Sequence, residues 1–143
     1  MEYAIENEYL IVTVTTWGAQ VKSVVRKFDD VEHMWQADKS VWGYHAPILF
    51  PHTGKVVDDL IETKGEVYQA KQHGFARLME HTLVRQTEDT IVMELRSSEE
   101  TLRIFPYAFR LVSTFTLDGD TLHHKLTVEN WDADKLYFGI GYH

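Results

Sequence analysis

Hydrophobic positions along this chain recur at every second residue, the pattern of half-buried β-strands, rather than at helical spacing. In Tyr9-Leu10-Ile11-Val12-Thr13-Val14-Thr15 alternate residues are strongly apolar. Gly18 breaks the run, and residues 20–27 read as a second strand. Further on, Ile91, Met93 and Leu95 share one face, with Glu94 and Arg96 on the other. The clearest hairpin covers residues 109–130, with its arms joined at Asp118-Gly119, a pair suited to the positive φ values of a tight reverse turn. On its second arm Leu122, His124, Leu126 and Val128 share one face, and His123, Lys125, Thr127 and Glu129 the opposite one. Helix signals are confined to residues 97–102, where serines can cap and Glu99 and Glu100 sit near the positive end of a short turn that Pro106 stops. No repeat, low-complexity segment or linker interrupts the chain. The expectation is a single all-β domain over residues 1–143, an antiparallel β-sandwich or barrel.

The run Leu136-Tyr137-Phe138-Gly139-Ile140-Gly141-Tyr142-His143 also reads as an apolar strand, with no turn and no polar tail after it. A strand ending there leaves an open sheet edge. The expectation is therefore a fold incomplete at its C-terminus, with the missing strands supplied by further chain or by a partner. Expressed alone, such a segment is expected to aggregate or to form a homodimer.

Composition narrows the function classes. The 143 residues are 44% hydrophobic and 13% aromatic, enough to bury a core. Twenty-two acidic against 14 basic side chains give a net charge of -8, with no basic cluster to favour nucleic acid. No apolar run approaches the length of a membrane helix, and the acidic Met1-Glu2-Tyr3-Ala4-Ile5-Glu6 lacks the blocks of a signal peptide. The absence of cysteine removes disulfides and thiolate metal sites. A soluble, cytoplasmic protein is expected, with neither nucleic acid nor membrane as partner.

The eight histidines offer no His-x-His or His-Glu-x-x-His spacing, so no metal site is expected. His123 and His124 are adjacent on a strand and point to opposite faces, one to the surface and one to packing. His33 and His81 sit at strand starts and read as structural or solvated. Three segments stand apart from the strands. In Pro47-Ile48-Leu49-Phe50-Pro51-His52-Thr53-Gly54-Lys55, two prolines flank an apolar triplet, Gly54 turns the chain and Lys55 projects a cation. A rigid loop with an exposed lysine would look the same. In Gln72-His73-Gly74-Phe75-Ala76-Arg77, a histidine and an arginine bracket a glycine that allows close backbone approach by a ligand. In Gly139-Ile140-Gly141-Tyr142-His143, glycines present a histidine.

The order of these motifs resembles the aldose 1-epimerase (galactose mutarotase) family, in particular its branch of small mutarotase-related proteins. The resemblance rests on Phe-Pro-x-x-Gly-Lys at 50–55, His-Gly-Phe-Ala-Arg at 73–77, Phe105-Pro106-Tyr107-x-Phe109, the hairpin running to Val128-x-Asn130 and Gly-x-His at 141–143. It covers essentially the whole chain, but only the N-terminal half of a family member. It implies a galactose mutarotase-like β-supersandwich binding a sugar in an open cleft, and no metal or organic cofactor.

Interconverting α and β anomers means opening a cyclic hemiacetal: a base takes the anomeric hydroxyl proton while an acid protonates the ring oxygen. Histidine suits the acid near neutral pH. By the resemblance, His143 is the general acid and His73 hydrogen-bonds the sugar near its ring oxygen. Lys55 stands where the family places a cationic substrate contact, often arginine, and its point charge departs from arginine's fork. The family's base is a glutamate of the C-terminal half, for which this chain has no counterpart. Arg77 belongs to a signature shared with hexose-6-phosphate 1-epimerases, where arginines hold the phosphate; pairing with one of the acidic groups would equally account for it. The substrate implied is a hexose or hexose phosphate. The alternatives are a hexose-6-phosphate 1-epimerase, a non-catalytic carbohydrate-binding module using Trp17, Trp35, Trp42 or Tyr44 as stacking faces, and a purely structural β-domain.

Overall fold

A computed structural model describes residues 1–143. The chain begins with β1 (Glu2–Glu6), β2 (Leu10–Thr15), β3 (Gln20–Arg26) and β4 (Val31–Glu32), which form one antiparallel sheet in sequence order. It then makes β5 (Ile48–Leu49) and the hairpin of β6 (Leu60–Thr63) and β7 (Glu66–Gln69). The second large sheet follows from β8 (Thr82–Gln86), β9 (Thr90–Arg96), β10 (Phe109–Asp118) and β11 (Thr121–Asn130), with α1 (Glu99–Leu102) between β9 and β10. Last comes β12 (Gly141–Tyr142), which pairs antiparallel with β5. The architecture is the all-β antiparallel sandwich that the alternation predicts.

Alternation builds the core. Leu10, Val12 and Val14 of β2 point inward with Ile5 and Val21, facing Ile91, Met93 and Leu95 of β9 and Phe109, Leu111, Phe115 and Leu117 of β10. Phe50, Phe75, Phe105 and Tyr107 continue the same cluster at one end of the sandwich. Phe50, with no exposed surface, lies 5.1 Å from the Phe109 ring and 6.1 Å from each of Phe75 and Phe105. Aromatic pairs at these separations add packing beyond plain area burial.

Several local expectations shift in detail. The acidic N-terminus forms β1, whose Ile5 opposes Val12 in the core; one buried residue in five left little periodicity to read. In the long hairpin Asp118 pairs with Thr121, so the turn residues are Gly119 and Asp120, with Gly119 at φ +56°. The helical turn has Ser98 as its cap, bonded reciprocally with Thr101, and ends at Leu102 before Pro106 is reached. The expected strand over 136–143 shrinks to Gly141–Tyr142. Residues 136–140 are irregular because their partners are loop groups, among them the Pro51 carbonyl, which accepts from the Gly139 amide at 2.7 Å. Of the two readings for His81 the structural one holds: it is 2% exposed, and its Nε2 lies 3.0 Å from the Ala76 carbonyl, fastening the start of β8 to the 76–78 turn. No helix is long and apolar enough to cross a membrane.

Candidate active site

Two of the three singled-out segments are tied together by backbone. The Phe50 carbonyl accepts from the amides of Phe75 (3.0 Å) and Ala76 (3.2 Å), and Phe50 bridges Gly74 in parallel. This approach is so close that a Cβ on Gly74, at φ +70°, would stand 2.2 Å from the Phe50 carbonyl oxygen. Phe50 and Phe75 are thus paired anchors: each sinks a ring into the core and leaves polar neighbours above it. The peptide between Phe50 and Pro51 is cis.

Above the anchors, His73 sits in the left-handed region at φ +67°. Its amide donates to the Gly54 carbonyl at 2.9 Å, and the Gly54 amide donates back to His73 Nδ1 at 3.0 Å. A ring nitrogen that accepts a backbone N–H carries no proton, so neutral His73 holds its hydrogen on Nε2. Desolvation lowers its pKa, with the charges of Arg77, His143 and His52 adding to the effect, so the neutral form is favoured. The flanking carbonyls are also held. His52 Nε2 lies 2.8 Å from the Lys71 carbonyl, and Arg77 Nη2 donates to the Gln72 carbonyl at 3.3 Å.

The third segment arrives through the pairing of β12 with β5. Gly141 lies opposite Leu49, Tyr142 opposite Ile48, and the His143 amide donates to the Pro47 carbonyl at 3.1 Å. This sets the His143 ring edge-to-face on His73, with centroids 5.3 Å apart. The other side of His143 stacks on Trp42 at 4.5 Å. Trp42 is itself held by Trp35, whose Nε1 donates to the Trp42 carbonyl at 2.8 Å. Tyr44, 5.8 Å from Trp42, lies under the Arg77 guanidinium at 5.2 Å.

Of the four residues singled out in the sequence, the structure therefore brings His73, His143 and Arg77 to one aromatic-walled surface. Arg77 makes no ion pair with an acidic side chain, and its Nε is buried without a partner. Lys55 follows Gly54 at the margin, largely exposed, with Asp59 3.8 Å away. No carboxylate hydrogen-bonds to either histidine, and no three His, Asp or Glu side chains converge as metal ligands would. Sequence reasoning did not single out His52 as a support for the 71–73 backbone, nor Trp42 as the platform for His143. The Phe-Pro-His spacing carried His52 all along, but nothing in it shows which carbonyl the ring reaches. The largest concavity, about 640 Å³, lies elsewhere, lined by Tyr9, Phe28 and Leu122 among others.

The sequence model of the family described as "Aldose 1-epimerase" matches residues 1–143. The chain belongs to that family. It is 33% identical over its whole length to the plasmid form of "Protein LacX" of Lactococcus lactis subsp. lactis, covering 50% of that protein. Among solved structures it is similar to a galactose mutarotase related enzyme from Lactobacillus acidophilus, with 36% identity and a TM-score of 0.98 over all of this chain and 48% of that one. A galactose mutarotase-like protein from Lactobacillus casei gives 32% identity and a TM-score of 0.96 over 99% of this chain and 48% of that one. The chain thus spans about half the length of the relatives it matches. Its two antiparallel sheets are an aldose 1-epimerase-family fold.

Proposed function

We propose that this chain supplies the histidine side of an aldose 1-epimerase site, which interconverts the α and β anomers of a hexose by acid–base ring opening. The supporting observation is the edge-to-face contact of His73 and His143, 5.3 Å apart, delivered by segments far apart in sequence. The contact divides two roles. His73, kept neutral with its proton on Nε2, donates a hydrogen bond to the sugar near the ring oxygen without bringing a second positive charge beside its partner. His143 protonates the ring oxygen as the hemiacetal opens and takes the proton back when the ring closes on the other face. Lys55 and Arg77 contact sugar hydroxyls at the margins. The base that removes the anomeric proton lies outside these 143 residues.

The test is anomer exchange measured by NMR on the polypeptide as its gene encodes it, for the wild type and His143→Asn. The variant is expected to lose at least about a hundredfold in exchange rate, the usual worth of a positioned acid; unchanged exchange would remove His143 from that role. A phosphorylated hexose is the second reading, favoured by an Arg77 guanidinium that no acidic side chain neutralises. Parallel rates for glucose and glucose 6-phosphate, with Arg77→Met slowing only the latter, would establish it. Saturable sugar binding without rate enhancement would instead identify a binding module.

A further inference from the structure

Gly54 and His73, which clasp each other through two hydrogen bonds, are the two ends of one excursion, and its body is the β6–β7 hairpin. That hairpin forms a sheet of only two strands, and no other strand hydrogen-bonds to it. Leu60 and Val67 are substantially exposed on it. A two-stranded hairpin of this kind is marginal in water unless something holds it. Near its base, Ala70 donates to the Asp59 carbonyl at 2.8 Å. At its tip, Thr63 Oγ1 hydrogen-bonds the buried Tyr107 hydroxyl, and Lys64 reaches the segment that follows β11. Lys64 Nζ lies 2.9 Å from Asp132 Oδ1, 3.1 Å from Asp134 Oδ2 and 4.6 Å from the centre of the Tyr107 ring. The Asp132 carboxylate is also bound by the Ala108 amide, and its contact with Lys64 holds it far below the usual carboxylate range.

Local chemistry does not favour a lysine at this position. Lys64 and Gly65 are the two turn residues, at φ +52° and +78°, and such turns favour asparagine or glycine at the first place. A lysine kept in left-handed backbone is an outlier of the kind that points to a task. We propose that Lys64, clamped by Asp132 and Asp134, is a positioning residue: it pins the tip of the β6–β7 hairpin so that its base holds the Gly54–His73 clasp. The clasp in turn fixes which nitrogen of His73 carries the proton. The latch therefore acts on the histidine pair without touching it. Its catalytic meaning rests on the anomer-exchange reading above; its mechanical content does not.

The experiment compares wild type with Lys64→Asn, Lys64→Arg and Thr63→Val in the gene-encoded polypeptide. Amide hydrogen exchange is followed at Gly54, His73 and β10, together with the ring ¹⁵N shifts of His73. Lys64→Asn supplies a better turn residue while deleting the latch, so a turn role and a latch role predict opposite results. The latch predicts exchange at Gly54 and His73 at least about tenfold faster with β10 unchanged, a His73 ring no longer confined to the Nε2–H form, and restoration by Lys64→Arg. Thr63→Val, which leaves Lys64 in place, should give a smaller change in the same direction. Unchanged or slower exchange at Gly54 in Lys64→Asn would overturn the proposal, as would equal acceleration in β10, since the lysine would then serve only overall stability. If the wild type shows no anomer exchange, the functional reading fails while these readouts still judge the latch. If it does, Lys64→Asn should slow exchange in step with the loss of the Nε2–H form.

Discussion

The β10–β11 hairpin and the loops that carry His73 both contain tight backbone turns, yet they respond to different demands. In the hairpin an unbroken ladder runs from Phe109 opposite Asn130 to Asp118 opposite Thr121, and the inward positions of β10 are apolar apart from Ser113. Its turn glycine stands clear: a Cβ on Gly119 would meet nothing within 4 Å. In the loops, Gly54, His73 and Gly74 all take positive φ, and the room beside Gly74 is already filled by the Phe50 carbonyl. A scaffold strand depends on the class of each residue, whereas the site depends on where individual atoms lie.

Paired glycine substitutions should show this difference most strongly. Gly74→Ala combines a left-handed backbone with a steric overlap that backbone alone can relieve, and should cost roughly 4 kcal/mol in urea unfolding. Gly119→Ala meets only the backbone penalty and should cost about 1 kcal/mol. Similar costs for the two would erase the distinction.

The next effect lies inside the regular hairpin. His124 stacks on Phe115 with centroids 4.0 Å apart, and burial pushes its pKa down to about 4. The unfolded chain takes up this proton near pH 6.5 while the folded one does not, so stability should fall as pH drops from about 6.5 to about 4, by up to about 3 kcal/mol. Burial of His81 acts in the same direction. Urea midpoints at pH 7 and pH 5 should differ less in His124→Leu than in the wild type; an unchanged difference would place the proton elsewhere.

The smallest effect belongs to Lys55. Its only ionic neighbour is Asp59 at 3.8 Å, both side chains being well exposed, so Lys55→Ala should change stability by less than about 0.5 kcal/mol. A loss of anomer exchange in that variant would then reflect contact with the sugar, whereas a large loss of stability would give the lysine a structural task.

The scaffold was legible because its signal is periodic. Val12, Met93 and Phe115 announce their faces through their own neighbours in sequence. The segments that converge at the candidate site were legible too, through Gly54, Gly74 and the histidines beside them. The contacts within it were not. That His143 stacks on Trp42, or that His52 supports the Lys71 carbonyl, depends on pairings between distant segments, which leave no period to read. Lys64 was invisible for the opposite reason: its neighbourhood reads as an ordinary polar turn, and its partners Asp132 and Asp134 lie beyond the next sheet.

The pairing of β12 with β5 also sets a timetable for synthesis. It joins residues roughly ninety positions apart, whereas each of the large hairpins closes over a short loop, and closure entropy makes the distant contact the slower to form. On the ribosome, at usual elongation rates, His73 emerges on the order of several seconds before His143. Until then the aromatic shelf of Trp42 and Tyr44 has no imidazole to cover it. The newborn chain therefore presents Trp42 to chaperones without the imidazole that stacks on it until residues 141–143 arrive.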